Sequence, residues 1–430
     1  MTSAKELSLD RAALEAQQLA LLRELVAKVR ESNAFYRERL PEGNPECLED
    51  FTTRFPLTTK QDFVDDQIAN PLYGSNLTYP IESYVRFHQT SGTTSAPVRW
   101  LDTTESWDWM LGCWERIFEA AGLTPDDRVF FPFSFGPFIA FWLAFERAAS
   151  MGCMAIPGGG LRTPARLERI LENEVTFICA TPTYALRLVE TARETGVDLS
   201  KSKVKTVLVA GEPGGSIPAT RKMLEEAWPG ARVFDHHGLT EVGPVSYESL
   251  EHPGILHVIE SAFFPEVIDQ VTLQPVGLGE PGELVLTNLG RIGSPAIRYR
   301  TRDTVRRSAK SASELGSCDL ALEGGIIGRA DYMIVVRGSN LYPSAVEDLL
   351  RSDRDVGEFR VELSEDRGLH QVSVQVERAS QQVQPEELER RVREVLHRAF
   401  SLQCSVDCVA NGTLPRFDAK SRRWVRKPSA

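Results

Sequence analysis

A chain of 430 residues, 42% hydrophobic and 25% charged, is long enough for a large core and more than one domain, and it has the composition of a soluble globular protein. Its formal net charge of −11 excludes a general nucleic-acid binder, which needs a basic face. A local basic run, from Arg416 to Lys427, stands near the C-terminus.

Residues 1–18 are mixed in charge and lack an apolar core of the signal-peptide kind. Helical spacing follows at once, with Leu14, Gln18, Leu21, Leu25 and Val29 three to four apart. The most apolar stretch, VFFPFSFGPFIAFWLAF at 129–145, is broken by Pro132, Ser134, Gly136 and Pro137. It falls short of the roughly 20 residues a spanning helix needs, so a buried turn and helix is expected and no membrane contact. VTFICATP (175–182) and KTVLVAGEP (205–213) are apolar runs, each followed by an amphipathic segment. That alternation predicts βα units whose strands are buried on both faces, with ligands at the strands' carboxyl ends. The segment 306–324, rich in Ser, Ala and charge, reads as a loop. Beyond 328 the texture changes. EFRVELSED, HQVSVQVER and ELERRVREVLHRAF give a βαβ-like unit of some 100 residues, so a boundary is placed there, with domains at 1–328 and 329–430. The seven cysteines are scattered, odd in number and free of any CxxC pair, which points to a reduced, cytoplasmic protein without a disulfide framework.

One loop carries chemistry on its face. HQTSGTTSAPVRW at 88–100 offers the hydroxyls of Ser91, Thr93, Thr94 and Ser95, and Gly92 lets backbone N–H groups turn toward one anion. It is not a Walker A loop, since the required Gly and Lys are missing. A polar surface turn has the same composition.

Four further motifs follow in order: FDHHGLTEVG (234–243), IRYRTRDTV (297–305), GRADYMIVVRGSN (328–340) and LPRFDAK (414–420). Together with the loop they resemble the core motifs of the adenylate-forming superfamily of acyl-CoA synthetases, adenylation domains and luciferases. NAFYRERL (33–40), FPLTTKQDF (55–63), AGEP (210–213) and NLYPSAVE (340–347) make the chain look most like the phenylacetate-CoA ligase branch and its aryl-CoA ligase relatives. The resemblance runs over almost the full length. It implies an α/β fold, with a large N-terminal domain of βα units around mixed and parallel sheets and a small mobile α+β C-terminal domain.

The resemblance also assigns residues. Ser91, Gly92, Thr93 and Thr94 would grip the β- and γ-phosphates of ATP, Thr240 the α-phosphate, and Glu241 would ligate Mg²⁺, which prefers hard oxygen. Gly211, Glu212 and Pro213 would present backbone to the adenine, with Asp235, His236, His237 and Gly238 beside them; His237 stands where the family usually stacks a tyrosine. Asp303 would accept both ribose hydroxyls and Arg329 would make a second ribose or phosphate contact. Family loops carry Gly-Lys where this chain has Ser95 and Ala96. The cation then comes from Lys420, reaching in from the small domain to sit between the carboxylate and the α-phosphate, where negative charge develops. Asp331 takes the hinge position, and Gly338 with Ser339 would border the tunnel for the CoA pantetheine arm.

Phe133, Phe135, Phe138 and Ile139, facing His236, Gly238, Leu239 and Pro244, match the segment that lines the family's acyl pocket. An aromatic stripe can equally be plain core. Bulky rings at a small site suit benzoate, an aminobenzoate such as anthranilate, or phenylacetate. Relatives that bind zinc have cysteines where this chain has Ser249, and Cys318 lacks its partner; with His252 and His257 these make no four-ligand set, so no zinc is expected. The expected activity is thus an ATP- and Mg²⁺-dependent aryl-acid CoA ligase, with a homodimer implied by the family. Two alternatives stay open: loading of an acyl-carrier protein instead of CoA, and an inactive homologue that only binds.

Overall fold

The computed structural model describes residues 10–90, 97–139, 141–329, 334–336, 339–366, 369–400, 402, 404–417 and 420–426. The chain enters through helix α1 (Arg11–Ser32), capped by the Asp10 carboxylate, which accepts from the Ala13 N–H. Its buried stripe is Leu14, Gln18, Leu22, Leu25, Val26 and Val29, so Leu22 rather than Leu21 points fully inward. Helix α2 (Lys60–Ala69) starts in a capping box, Thr59 with Asp62, which fixes the position of Lys60 in its first turn.

A two-stranded antiparallel ribbon, β1 (Tyr84–Gln89) and β2 (Arg99–Thr103), leads into α3 (Thr104–Ala120). Then come the expected βα units: β3 (Arg128–Phe131), α4 (Trp142–Ser150), β4 (Met154–Pro157), α5 (Thr163–Glu172), β5 (Phe177–Ala180), α6 (Pro182–Thr195), β6 (Thr206–Ala210), α7 (Pro218–Ala227) and β7 (Arg232–His236). The strands form one parallel sheet in the order β4-β3-β5-β6-β7. Alternate residues leave it on opposite faces. Phe177, Cys179, Leu208 and Phe234 join one core with α3 and α4, while Ile178, Val207, Val209 and Val233 join another with α5, α6 and α7. Burial on both faces is why these strands read as unbroken apolar runs.

An antiparallel sheet follows, of β8 (Phe263–Ile268), β9 (Pro281–Asn288), β10 (Tyr299–Arg306) and β11 (Gly328–Arg329). The segment 306–324 is more ordered than its composition suggests. It holds a short helix, Ala312–Leu315, opened by a Ser311–Glu314 capping box, and a strand, Ala321–Glu323.

The C-terminal part has a core of its own, drawn from residues 341–424. Helix α8 (Pro343–Ser352) precedes β12 (Val356–Asp366), β13 (Leu369–Arg378), α9 (Pro385–Phe400), β14 (Ser405–Val409) and β15 (Trp424–Arg426). The long strands β12 and β13 pair antiparallel, the β13-α9-β14 step is a parallel βαβ unit, and β15 joins the outer side of β12 in parallel. Among the described residues no helix is long and apolar enough to cross a membrane.

Candidate active site

The parallel strands deliver the site at their carboxyl ends. Strand β5 runs into Thr181 and Pro182, β6 into Gly211-Glu212-Pro213, and β7 into His236 and His237. Gly211 has φ +94°, a conformation that favours glycine, and a Cβ there would lie 3.5 Å from Lys420 Cε. The lysine therefore crosses directly over this strand end.

Beyond His237 the chain turns back on itself: Gly238 pairs with Pro244 and Leu239 with Gly243, leaving Thr240 and Glu241 at the tip. A Cβ on Gly238 would come within 2.8 Å of the Gly243 carbonyl, so the turn closes only around glycine. The tip is pinned from below. Arg291 donates to the Thr240 carbonyl at 2.6 Å, and its other nitrogens hold Asp102 in a fork at 2.6 and 2.7 Å, both side chains fully buried. Glu241 is buried; its Oε1 accepts from the Tyr299 hydroxyl at 3.2 Å and lies 3.9 Å from Lys60 Nζ.

Asp303 is aimed by a distortion in β10. The register shifts opposite Glu283–Val285, and Arg302 takes φ +64°. The fully buried Glu283 carboxylate holds Arg300 at 2.6 Å and accepts the Arg302 N–H. With its neighbours anchored this way, Asp303 turns inward, where Oδ2 meets His237 Nε2 at 3.0 Å and Oδ1 meets Arg329 Nη1 at 3.3 Å.

Lys420 arrives from the C-terminal part. The residue is solvent-accessible, although protein crowds around its side chain. Burial lowers its pKa below 10.5, with Arg329 acting the same way, while Glu212, Asp303 and Glu241 favour the charged form. Both oxygens of the Glu212 carboxylate are engaged by backbone: Oε1 accepts from the Thr183 N–H at 2.9 Å and Oε2 from the Ser421 N–H at 2.8 Å.

Asp235 and His236 lie under the site. Burial, aided by Glu248, pushes Asp235 up to about 7; its carboxylate accepts from Ser216 and from the His236 N–H. His236 is held neutral, pushed down to about 3 by burial, with Nδ1 2.7 Å from the Ser246 carbonyl. Its ring lies 4.6 Å from Trp114. From there rings continue through Phe141 at 6.3 Å to Phe133 at 4.6 Å and Phe135 at 5.3 Å. Phe141 adopts φ +31°, a strained conformation for a bulky residue, and its ring is buried between Trp114 and Phe133. Ile139 and Pro244 are buried, Leu239 is half-buried and Phe138 is exposed. On the outer side of the same segment, Gly136 and Trp142 line a separate open pocket of about 250 Å³ with Arg86, His88 and Trp107.

Ser91, Gly92, Thr93, Thr94, Asp331 and Gly338 lie outside the described residues; Ser339 opens the second strand of a hairpin, Ser339–Leu341 paired with Ile334–Val336. His257 stacks on Tyr247 at 5.4 Å, and among the described residues no three His, Cys, Asp or Glu side chains form a metal-binding group. Sequence reasoning did not single out Lys60, Arg291, Asp102 or Tyr299. Of these, Lys60 and Tyr299 stood inside quoted motifs, FPLTTKQDF and IRYRTRDTV, and could have been found there.

Residues 82–290 match the AMP-binding enzyme family and residues 338–427 the AMP-binding enzyme C-terminal domain. The chain belongs to this family, as an adenylate-forming acyl-CoA ligase. It is 30% identical to phenylacetate-coenzyme A ligase of Pseudomonas putida, over 95% of this chain and 93% of that one. Against phenylacetate-coenzyme A ligase of Escherichia coli (strain K12) it is 31% identical, over 86% and 84%. Among solved structures it superposes on 2-hydroxyisobutyryl-CoA ligase in the postadenylation state with a TM-score of 0.92, at 25% identity over 98% of this chain and 91% of that one. The same ligase in the thioesterification state gives 0.73 over the same shares.

Proposed function

We propose that the chain activates a single-ring aromatic acid as an aryl-adenylate and transfers it to coenzyme A. The observation that carries the reading is the unbroken run of rings from Phe135 through Phe133, Phe141 and Trp114 to His236, ending beside the strand end that holds Lys420. A flat ring would lie against the half-buried Phe133 and Phe135 at the edge of this run, where a long flexible chain would lose rotamer freedom.

In the first half-reaction a carboxylate oxygen of the acid bonds to the α-phosphorus of ATP and the bond to pyrophosphate breaks. Two anions about 4 Å apart repel by several kcal/mol at an effective dielectric near 20. The Lys420 ammonium stands between them and stabilises the charge that develops. Thr240, held by Arg291, bonds the α-phosphate, while the serine/threonine loop binds the leaving phosphates. Lys60, 3.9 Å from the Glu241 carboxylate, brings a further cation to the site. Glu241 would hold Mg²⁺ together with phosphate oxygens. A lone buried carboxylate fits an ion commonly bound by one or two carboxylates plus substrate phosphates, and the ion would neutralise phosphate charge. Asp303 and Arg329 receive the ribose, and His237 lies against the adenine. In the second half-reaction residues 329–430 rotate against 1–328 about Asp331 and Lys420 withdraws. The CoA thiol, passing Gly338 and Ser339, attacks the acyl carbon and AMP leaves.

The test is acid-dependent pyrophosphate exchange with benzoate, anthranilate, phenylacetate, octanoate and decanoate, followed by thioester formation with CoA or an acyl-carrier protein. Aromatic acids should exceed fatty acids longer than about six carbons by at least tenfold in kcat/KM, a difference of about 1.4 kcal/mol. One or two ring contacts at about 0.5–1.5 kcal/mol each supply it. Octanoate matching the aromatic acids overturns the substrate reading, and turnover only with a carrier protein overturns CoA as acceptor. Sedimentation of the full chain tests the homodimer.

A further inference from the structure

We infer that Glu212 is a latch: its carboxylate ties the backbone just after Lys420 to the large domain and so holds the lysine over the adenylation site. The inference rests on the ligase reading above and gives the Glu212 carboxylate a positioning role, distinct from the adenine contact expected of its backbone. Its two oxygens are shared between the two parts of the chain. One accepts the Thr183 N–H, in the first turn of α6, and the other accepts the Ser421 N–H. Both are charge-assisted bonds, and the N-terminal end of a helix favours the negative charge placed there. Gly211 and Glu212 thus act as a pair on Lys420 and Ser421, the first by giving the lysine room and the second by fixing the next residue.

The same helix receives two more ties from the C-terminal part. Arg423 donates to the Thr183 hydroxyl at 3.2 Å while its other nitrogens are held by Glu358 at 2.6 and 3.0 Å. Arg416 bridges Glu190 at 2.6 Å and Glu377 at 2.7 Å. Helix α6 is therefore a docking rail, and Glu212 is the tie nearest the lysine. A rotation that withdraws Lys420 has to break the Glu212–Ser421 bond, because Glu212 stays with β6 while Ser421 leaves with the lysine. The latch stabilises the arrangement for the first half-reaction and has no partner in the second.

Glu212→Ala and Glu212→Gln in the full chain test this. Hydrogen exchange on ligand-free protein should speed up at least fivefold in peptides covering 420–426 in the alanine variant and stay unchanged in 206–210. In the exchange assay kcat for adenylate formation should fall at least tenfold with KM for ATP within twofold. Thioester formation from supplied aryl-adenylate should stay within twofold of the wild type. A side-chain amide keeps one accepting oxygen, so Glu212→Gln should fall between. Should either substitution fail to fold, Ser421→Pro removes the donated N–H itself and should show the same split. Unchanged exchange at 420–426 overturns the latch. So does a rise in KM for ATP with both half-reactions falling together, the signature of a nucleotide contact. If the wild type activates no acid, the ligase reading fails while the hydrogen-exchange comparison still decides the latch.

Discussion

Arg291→Met should destabilise the large domain by about 3–5 kcal/mol, the usual cost of leaving one member of a buried ion pair unpaired. Methionine matches much of the arginine stem, so the volume lost is small and the effect comes from charge. Arg291 and Asp102 are both fully buried, and the fork at 2.6 and 2.7 Å satisfies both carboxylate oxygens. At roughly 2–4 °C per kcal/mol for a domain of this order, the first thermal transition should fall by about 6–20 °C. Stability alone does not test the tie to Thr240. The double variant Asp102→Leu with Arg291→Met removes both charges, and replacing a buried pair by apolar groups is often close to neutral. Its transition should recover most of the loss, while pyrophosphate exchange stays slow because the Thr240 carbonyl still lacks the donor that held it at 2.6 Å. Calorimetry and the exchange assay on the same preparations decide it. A shift below about 2 °C in the single variant, or full exchange activity in the double variant, would refute the reasoning.

Lys420→Ala should abolish adenylate formation but spare thioester formation from supplied aryl-adenylate; equal loss of both half-reactions would count against its assigned place. Asp235 predicts a pH effect. Its carboxyl is raised to about 7 from 3.8, so the folded state takes up a proton more readily than the unfolded one. The resulting stability is complete below about pH 4 and is lost as pH rises through 7. Asp235→Asn removes that loss, and its melting temperature should gain on the wild type from pH 4 to pH 8. A gap that stays constant across that range would show that Asp235 does not titrate there.

The large domain was legible because two-sided burial leaves a plain mark, as in FICA and TVLVA, and because each strand ends where Thr-Pro or Gly-Glu-Pro breaks the run. The C-terminal hairpin was harder, since the alternation in β12 and β13 tells which face is inward but not which neighbour runs antiparallel. At the site, motifs pointed to the residues at the ends of strands. They did not reveal the supports, because Asp102 and Arg291 stand 189 residues apart and each alone resembles an ordinary charged residue. Glu212 shows the same limit in another way. The sequence placed it at a strand end, yet the use of its carboxylate depends on Ser421, 209 residues later.

The crossing of Lys420 over Gly211 also bears on how the chain is made. Glu241 and Asp303 are translated well before Lys420, and at about 5–20 residues per second the roughly 180 residues after Glu241 take on the order of 10–40 s to emerge. Through that interval the segments that carry Gly211, Glu241 and Asp303 can fold without the lysine that later crosses Gly211. On the proposed reading, a nascent chain folded as far as Asp303 would hold the residues that face the nucleotide before the lysine that lets it join an acid to a phosphate has been made.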